Sequence, residues 1–192
     1  MYRAVTLKVL RAGLDPLEEE RIGRLMESTR VALEERAGAL RVLLDEVDVT
    51  EEIRTPEVTR AVSSVSSLRA VRQAMVREQR RMGEEGGIVL EGRDIGTVVF
   101  PDADLKFFLV ASIGERARRR LLELRQRGVD ADLEELEGEL EERDRIDSTR
   151  SESPLQRADD AIEVDTSNLT IDQQVEMVLE IVQRKRGEGK RA

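Results

Sequence analysis

The sequence contains no histidine and no cysteine, two residue types that carry much of enzyme chemistry. Histidine is the commonest general base and metal ligand near neutral pH, so Ser-His-Asp hydrolysis and histidine-based metal chemistry are excluded. The lack of cysteine excludes disulfide bonds and thiolate metal sites, and it is compatible with a reducing cytosol. Any chemistry must therefore rest on arginine, lysine, acidic residues, serine or backbone groups.

Aromatic residues are also scarce, and acidic residues outnumber basic ones. Aromatic residues make up 2% of the chain, which is too few for a base-stacking platform. The net charge of −9 opposes broad binding to nucleic acid. No apolar run approaches the roughly 18 residues of a membrane span, and the N-terminus lacks the apolar region of a signal peptide. We therefore expect one cytoplasmic, monomeric domain over residues 1–192, with no nucleic-acid or membrane partner.

Helix and strand signals follow one another along the chain. The pair Asp15-Pro16 has the pattern of a helix start and predicts a helix over 17–36. Ser112 begins a capping box, which predicts a helix to about residue 127. Other helices are predicted from Thr55-Pro56, over 68–85, over 132–146 and from Thr170. Strands are predicted at 88–91, 104–111 and 161–165, with a small hairpin in 39–50. This alternation is typical of an α/β fold with a parallel sheet and crossover helices.

The most informative segment is the predicted strand 88–91 with the turn Gly92-Arg93-Asp94 that follows it. In open α/β sheets, ligands bind where strands deliver loops at their carboxyl ends. Arg93 offers a cation for a phosphate group, and Asp94 offers an acceptor for a donor group. This combination suits a nucleoside monophosphate better than a metal ion or a peptide.

Three further groups of arginines have suggestive spacings. They are Arg72 with Ser63 upstream, the series Arg143, Asp147 and Arg150 on one helix face, and the pair Arg116 and Arg120. An exposed helix face with many salt bridges is the commoner explanation of such charged runs. No single group decides the function.

Several motifs together resemble the bacterial cytidylate kinases. They occur in order along the chain, as Ile53-Arg54-Thr55-Pro56, Gly92-Arg93-Asp94-Ile95-Gly96-Thr97, Glu142-Arg143-Asp144, Ser153-Pro154-Leu155 and Ala158-Asp159-Asp160-Ala161. That family of P-loop nucleoside monophosphate kinases transfers the γ-phosphoryl group of ATP, with Mg²⁺, to CMP or dCMP. The resemblance implies a three-layer α/β fold with a CMP-binding insert over about 30–86, a lid over about 121–146 and a flexible tail over 184–192.

The resemblance also implies a role for individual residues at the base. Asp94 matches the position that accepts from the exocyclic amine of cytosine, and Ser63 and Arg72 match its other base-reading positions. Arg72 is then placed to donate to the acceptor side of the base. Uracil inverts the donor and acceptor pattern at ring positions 3 and 4, so such a site would disfavour it.

The remaining matched positions concern the sugar and the phosphates. The resemblance places Tyr2, Arg3 and Arg93 beside the acceptor phosphate and Asp147 at the sugar. It makes Arg143 and Arg150 lid arginines that close over the phosphates, so that Arg93, Arg143 and Arg150 are the expected catalytic residues. Arg116 and Arg120 are expected near ATP, and no residue is expected to be a metal ligand.

The phosphate-binding motif G-x-x-x-x-G-K-[ST] is absent from these 192 residues. Because the family carries it upstream of the position of Met1, we expect the chain to be an N-terminally truncated form without the first strand and the P-loop. Such a form is expected to be poorly stable and impaired in phosphoryl transfer. Two alternatives stay open, a non-catalytic CMP-binding module and a charged helical scaffold without a ligand.

Overall fold

A computed structural model describes residues 1–189. The described chain forms seven helices and five strands, and none of these helices is long and apolar enough to cross a membrane. In chain order the elements are α1 Tyr2–Arg11, α2 Glu19–Glu27, β1 Val31–Arg36, β2 Ala39–Leu44, β3 Val47–Asp48, α3 Pro56–Ser67, α4 Arg69–Met82, β4 Phe107–Val110, α5 Ile113–Gln126, α6 Leu133–Thr149, β5 Ile162–Asp165 and α7 Ile171–Gly189. Two single turns add to these, a 3₁₀ turn at Glu52–Arg54 and a π-helical turn at Ile95–Val99.

The chain divides into two compact units. The first unit contains Met1–Phe100 and Arg145–Gln156, and the second contains Pro101–Asp144 and the chain from Arg157 onward. Helix α6 runs through the boundary between Asp144 and Arg145, so its last turns belong to the first unit.

The first unit has its hydrophobic core where α1, α2 and α4 meet the small antiparallel sheet β1–β2–β3. Val5 and Val9 of α1, Ile22 of α2 and Val71 of α4 are fully buried in this core. Val5 and Val9 are four residues apart and therefore share one face of α1, which is the face that packs into the core. The core therefore fixes the beginnings of α1 and α4, which carry residues of the predicted site.

The predicted helix over 17–36 is wrong in its second half. The helix ends at Glu27, and residues Val31–Arg36 form β1, paired antiparallel with β2 from Val31↔Leu44 to Arg36↔Ala39. Burial of Val31 against the core and the ladder with β2 outweigh the high helix propensity of the alanine, leucine, glutamate and arginine residues in this segment. The predicted hairpin over 39–50 is present as β2 and β3, and β1 extends it to three strands.

The predicted strand at 88–91 is not formed in the described part of the chain. These residues have no ladder partner there, and the side chain of Val89 is 99% exposed. An apolar run forms a strand only when a neighbouring strand accepts its backbone hydrogen bonds. The preceding helix α4 ends at Met82 rather than at residue 85, with Gly83 as its C-cap.

The second unit contains a parallel pair of strands. Strands β4 and β5 pair in register from Phe107↔Ile162 to Val110↔Asp165, with α5 and α6 between them in sequence. The predicted α/β class with a parallel sheet is therefore confirmed. Ser112 caps α5 as predicted, because its Oγ accepts from the backbone N–H of Glu115 at 3.3 Å.

The predicted subdivisions of the domain map onto defined elements. Residues 30–86 contain the three-stranded sheet with α3 and α4, and residues 121–146 contain the end of α5 and most of α6. Their roles as a CMP-binding insert and a lid stay predictions. Of the predicted flexible tail, residues 184–189 continue α7 as helix, and residues 190–192 lie outside the described residues.

Candidate functional site

Residues from four separate parts of the first unit form a network of buried charges. Tyr2 stands at the start of α1, Arg72 in the first turn of α4 and Asp94 immediately before the π-helical turn. Asp147 and Arg150 come from the end of α6. All five were predicted as site residues, and ion pairs, a ring contact or electrostatic coupling connect them within this unit.

The pair Arg72–Asp94 is the most deeply buried part of this network. Only 2% of Arg72 and 3% of Asp94 is exposed. Arg72 Nη2 donates to Asp94 Oδ2, and Nη1 donates to the carbonyl oxygen of Ser66 at 3.3 Å. The guanidinium carbon lies 5.2 Å from the centre of the Tyr2 ring, within the range of a cation–π contact. These three partners hold Arg72 in one orientation.

Two arginines converge on the carboxylate of Asp147. Arg150 Nη1 lies 3.2 Å from Oδ1, and Arg93 Nε lies 3.1 Å from Oδ2. Arg150 is fixed further by its Nε, which donates to the carbonyl oxygen of Ser153 at 2.8 Å. The side chain of Arg150 is 4% exposed, whereas that of Arg93 is 34% exposed and reaches solvent.

Three donors in this network are buried and have no hydrogen-bond partner among the described residues. They are the hydroxyl group of Tyr2, Nε of Arg72 and Nη2 of Arg150. Buried polar atoms in folded proteins are almost always hydrogen-bonded, so each exception requires an explanation. The three guanidinium groups also exceed the two carboxylates by one positive charge. An anionic ligand with acceptor oxygens would match both properties.

The protonation states in the site follow from burial. Burial raises the pKa of Tyr2 to about 12, with the nearby Arg72 acting in the opposite direction. Burial also lowers the pKa of Arg150, and the positive charge of Arg72 adds to that effect. Tyr2 therefore stays a neutral hydroxyl donor at physiological pH and cannot act as a general base.

Arg3 and Ser63 lie in the same unit but outside the buried pairs. Arg3 Nε donates to the carbonyl oxygen of Ile53 and Nη2 to Thr59 Oγ1, both at 2.6 Å. The backbone carbonyl of Ser63 accepts from Ser66 Oγ at 3.1 Å, so Ser63 is one turn of α3 from the carbonyl that holds Arg72. The predicted roles of Arg3 at the phosphate and of Ser63 at the base stay predictions.

The predicted ATP-side arginines belong to the second unit. Arg116 forms a two-pronged ion pair with Asp144, at 3.1 Å from Nη1 to Oδ1 and 2.5 Å from Nη2 to Oδ2. Arg120 Nη1 lies 2.7 Å from Glu123 Oε2. Arg143, the remaining predicted catalytic residue, is half-buried on α6 within this unit. The spacing of Arg116 and Arg120 is thus explained by salt bridges, between α5 and α6 for Arg116 and within α5 for Arg120.

Sequence reasoning missed the groups that hold the site arginines in place. The carbonyl oxygens of Ser66 and Ser153 accept from Arg72 and Arg150, and backbone acceptors leave no signal in side-chain patterns. Arg80 was also missed, although it donates to the carbonyls of Val98 and Val99 at the end of the turn after Asp94. Its position on α4, eight residues after Arg72, was the one available signal.

The described residues hold no group of three or more histidine, cysteine, aspartate or glutamate side chains that would bind a metal ion.

The structure is that of an α/β protein with a buried, arginine-rich cluster of charges in its first unit. The cytidylate kinase family model matches residues 1–184, and the chain belongs to this family of phosphotransferases, as predicted. It is 46% identical over 184 residues to the cytidylate kinase of Bacillus pumilus, which covers 96% of this chain and 82% of that protein. It is also 48% identical over 182 residues to the cytidylate kinase of Syntrophotalea carbinolica, covering 95% and 77% respectively. For the cytidylate kinase of Limosilactobacillus reuteri the identity is 46% over 189 residues, with 98% and 83% covered.

Proposed function

We propose that the first unit binds CMP or dCMP as the acceptor of a phosphoryl group, and that ATP is the donor. The observation that carries this proposal is the buried ion pair Arg72–Asp94 beside three unpartnered donors. Burying an ion pair is costly, and replacing it with apolar residues is often neutral or stabilising. A function in ligand recognition accounts for keeping these charges inside.

The base would be read by the two members of the buried pair. Asp94 Oδ2 already accepts from Arg72, and no described residue donates to Oδ1, so Oδ1 can accept from the exocyclic amine of cytosine. Arg72 Nε has no described partner and can donate to the acceptor atoms of the same base. Uracil has a carbonyl oxygen in place of the amine, which would face the carboxylate and leave both groups unpaired.

The phosphate and the sugar would be held by the remaining groups of the network. Arg93 is partly exposed and Arg150 Nη2 has no described partner, so both can donate to phosphate oxygens. The hydroxyl of Tyr2 is a third donor, and Arg3 adds a further positive charge in this unit. Asp147, fixed by two arginines, is suited to accept from a sugar hydroxyl group.

Catalysis by such a site would rest on orientation and on neutralisation of charge. A transferring phosphoryl group requires little covalent chemistry from the protein, which agrees with a sequence without histidine. Arg93, Arg143 and Arg150 would stabilise the charge of the transferring group. Arg116 and Arg120 would contact ATP after exchanging their carboxylate partners for phosphate oxygens. Mg²⁺ would neutralise phosphate charge when it is bound with ATP.

Residues 1–192 alone are proposed to be impaired in this reaction, because the sequence contains no P-loop motif. A non-catalytic CMP-binding module is the alternative that the same observation favours. Release of ADP from ATP, Mg²⁺ and CMP by the purified 192-residue chain would decide this point, since full turnover contradicts the impairment. We place the activity in the cytoplasm and expect a monomer.

Replacing Asp94 with asparagine tests the proposed acceptor site. Asp94→Asn removes the charge opposite the amine of cytosine, and we expect CMP affinity to fall by about tenfold or more. UMP affinity is expected to change much less. The measurement is isothermal titration calorimetry, with Glu91→Gln as a matched control because it makes the same chemical change at an exposed position nearby. Unchanged CMP affinity in Asp94→Asn would contradict the proposal.

A further inference from the structure

The turn over residues 94–100 is held by α4 at both of its ends. At the first end, Asp94 is paired with Arg72 of the first turn of α4. At the other end, Arg80 from the last turn of α4 donates to two successive backbone carbonyls, from Nη2 to Val98 at 2.6 Å and from Nε to Val99 at 3.0 Å. Arg72 and Arg80 are eight residues apart, about 12 Å along a helix, so one rigid element sets the span of the turn.

The two residues whose carbonyl groups Arg80 binds are also hydrogen-bonded to the backbone of Asp94. The carbonyl oxygen of Asp94 accepts from the N–H of Val98 at 2.9 Å and from the N–H of Val99 at 3.2 Å. Arg80 thus holds the carbonyl groups of the same two residues whose N–H groups hold Asp94. Such π-helical turns are rare and occur frequently at functional sites.

The end of α4 offers a second contact to the same turn. Gly83 is the C-cap of α4, and a Cβ atom at that position would lie 2.9 Å from Phe100 Cε1 and from Ile88 Cδ1. Real Cβ contacts are longer, so a side chain at this position would displace Phe100. The lack of a side chain at Gly83 therefore lets the turn approach the helix where Arg80 binds it.

We propose that Arg80 is a positioning residue that sets the place of the Asp94 carboxylate and thereby the preference for cytosine over uracil. This inference rests on the proposed function, which assigns Asp94 to the amine of cytosine. The contacts of Arg80 do not depend on that function. Only arginine offers two fixed N–H donors that reach adjacent carbonyls in this way. Arg80 is exposed on its helix, so its replacement removes these contacts without opening a cavity in the core.

The test compares Arg80→Gln with Arg81→Gln. Arg81 is the neighbouring exposed arginine, and among the described residues its ion pair is with Glu78 of its own helix, so the control removes the same charge from the same turn. In Arg80→Gln, CMP affinity is expected to fall about tenfold through misplacement of Asp94. UMP affinity is expected to change less than about twofold, because UMP makes no favourable contact with Asp94. Arg80→Lys keeps one ammonium group as donor in place of the two guanidinium N–H groups. Its CMP affinity is expected to lie between those of the wild type and Arg80→Gln.

Amide hydrogen exchange at Val98 and Val99 provides a measurement that does not depend on any nucleotide. We expect faster exchange at both amides in Arg80→Gln and wild-type rates in Arg81→Gln. Unchanged amide exchange in Arg80→Gln would overturn the inference. An unchanged ratio of CMP to UMP affinity, including an equal loss of both affinities, would also overturn it. Equal affinity of the unaltered protein for CMP and UMP would instead contradict the proposed function, and the inference would fall with it.

Discussion

Tyr2 combines two properties at the scale of the single residue. It is the only tyrosine in the chain, and its buried hydroxyl has no partner among the described residues. An unsatisfied buried hydroxyl destabilises the ligand-free protein and is available to a ligand. The hydroxyl group is therefore expected to lower the stability of the ligand-free protein and to strengthen ligand binding. A purely structural hydroxyl group would raise the stability and leave binding unchanged.

The variant Tyr2→Phe is expected to be more stable than the wild type in the absence of ligand, by about 1 kcal/mol. It is expected to bind CMP more weakly, by about fivefold, because one donor to the nucleotide is lost. Urea denaturation and calorimetric titration measure these two quantities. A variant that loses stability and keeps its CMP affinity would show that the hydroxyl supports the fold instead.

The pKa of Tyr2 gives a prediction for alkaline pH. Because the pKa is raised from 10.0 to about 12 in the folded protein, the unfolded chain loses the phenolic proton first as the pH rises. Ionisation of Tyr2 therefore leaves the stability unchanged below pH 10 and lowers it as the pH rises from 10 towards 12. Denaturation at several pH values should show a steeper loss of stability in the wild type than in Tyr2→Phe, and parallel curves would contradict it.

At the scale of the element, local capping signals predicted two helix starts and missed a third, because Asp15 was expected to cap a helix whereas α2 begins at Glu19 with Glu18 as its N-cap. Thr55 and Ser112 were assigned as helix starts from sequence, and both accept from the backbone N–H three residues later. The predicted capping box at Ser112 is only half formed. The backbone N–H of Ser112 donates to Ser167 Oγ, while the side chain of Glu115 binds Arg119.

Replacing this cap tests its contribution to stability. Ser112→Ala is expected to destabilise the protein by about 1 kcal/mol, because the N–H of Glu115 loses its acceptor. Ser148→Ala is the control, since Ser148 is exposed in the last turn of α6. Thermal denaturation is the measurement, and equal midpoints for the two variants would contradict the assigned role of Ser112.

Strands were predicted less well than helices, and the reason is physical. The segment Val31–Arg36 is rich in glutamate and becomes a strand only because β2 pairs with it. The segment 88–91 is rich in strand formers, yet no described strand pairs with it. Strand formation depends on a partner elsewhere in the chain, and local sequence does not contain that information.

At the scale of the whole molecule, the family and the α/β class followed from motifs that span the chain in order. The family match over residues 1–184 confirms that interpretation. Individual arginines were harder to interpret, because the same spacing serves a salt-bridged helix or a phosphate site. Arg72 and Arg150 are buried with donors left over, whereas Arg120 is paired on a helix surface. Burial separates these cases, and burial depends on the three-dimensional fold.

We propose that the first unit of this chain contains a site for a cytosine nucleotide. Calorimetric titration of the purified 192-residue protein with CMP and with UMP, under identical conditions, tests it most directly. We predict saturable binding of one CMP per chain and an affinity for UMP that is weaker by about tenfold to a hundredfold. Absence of CMP binding, or equal affinities for the two nucleotides, would contradict the account.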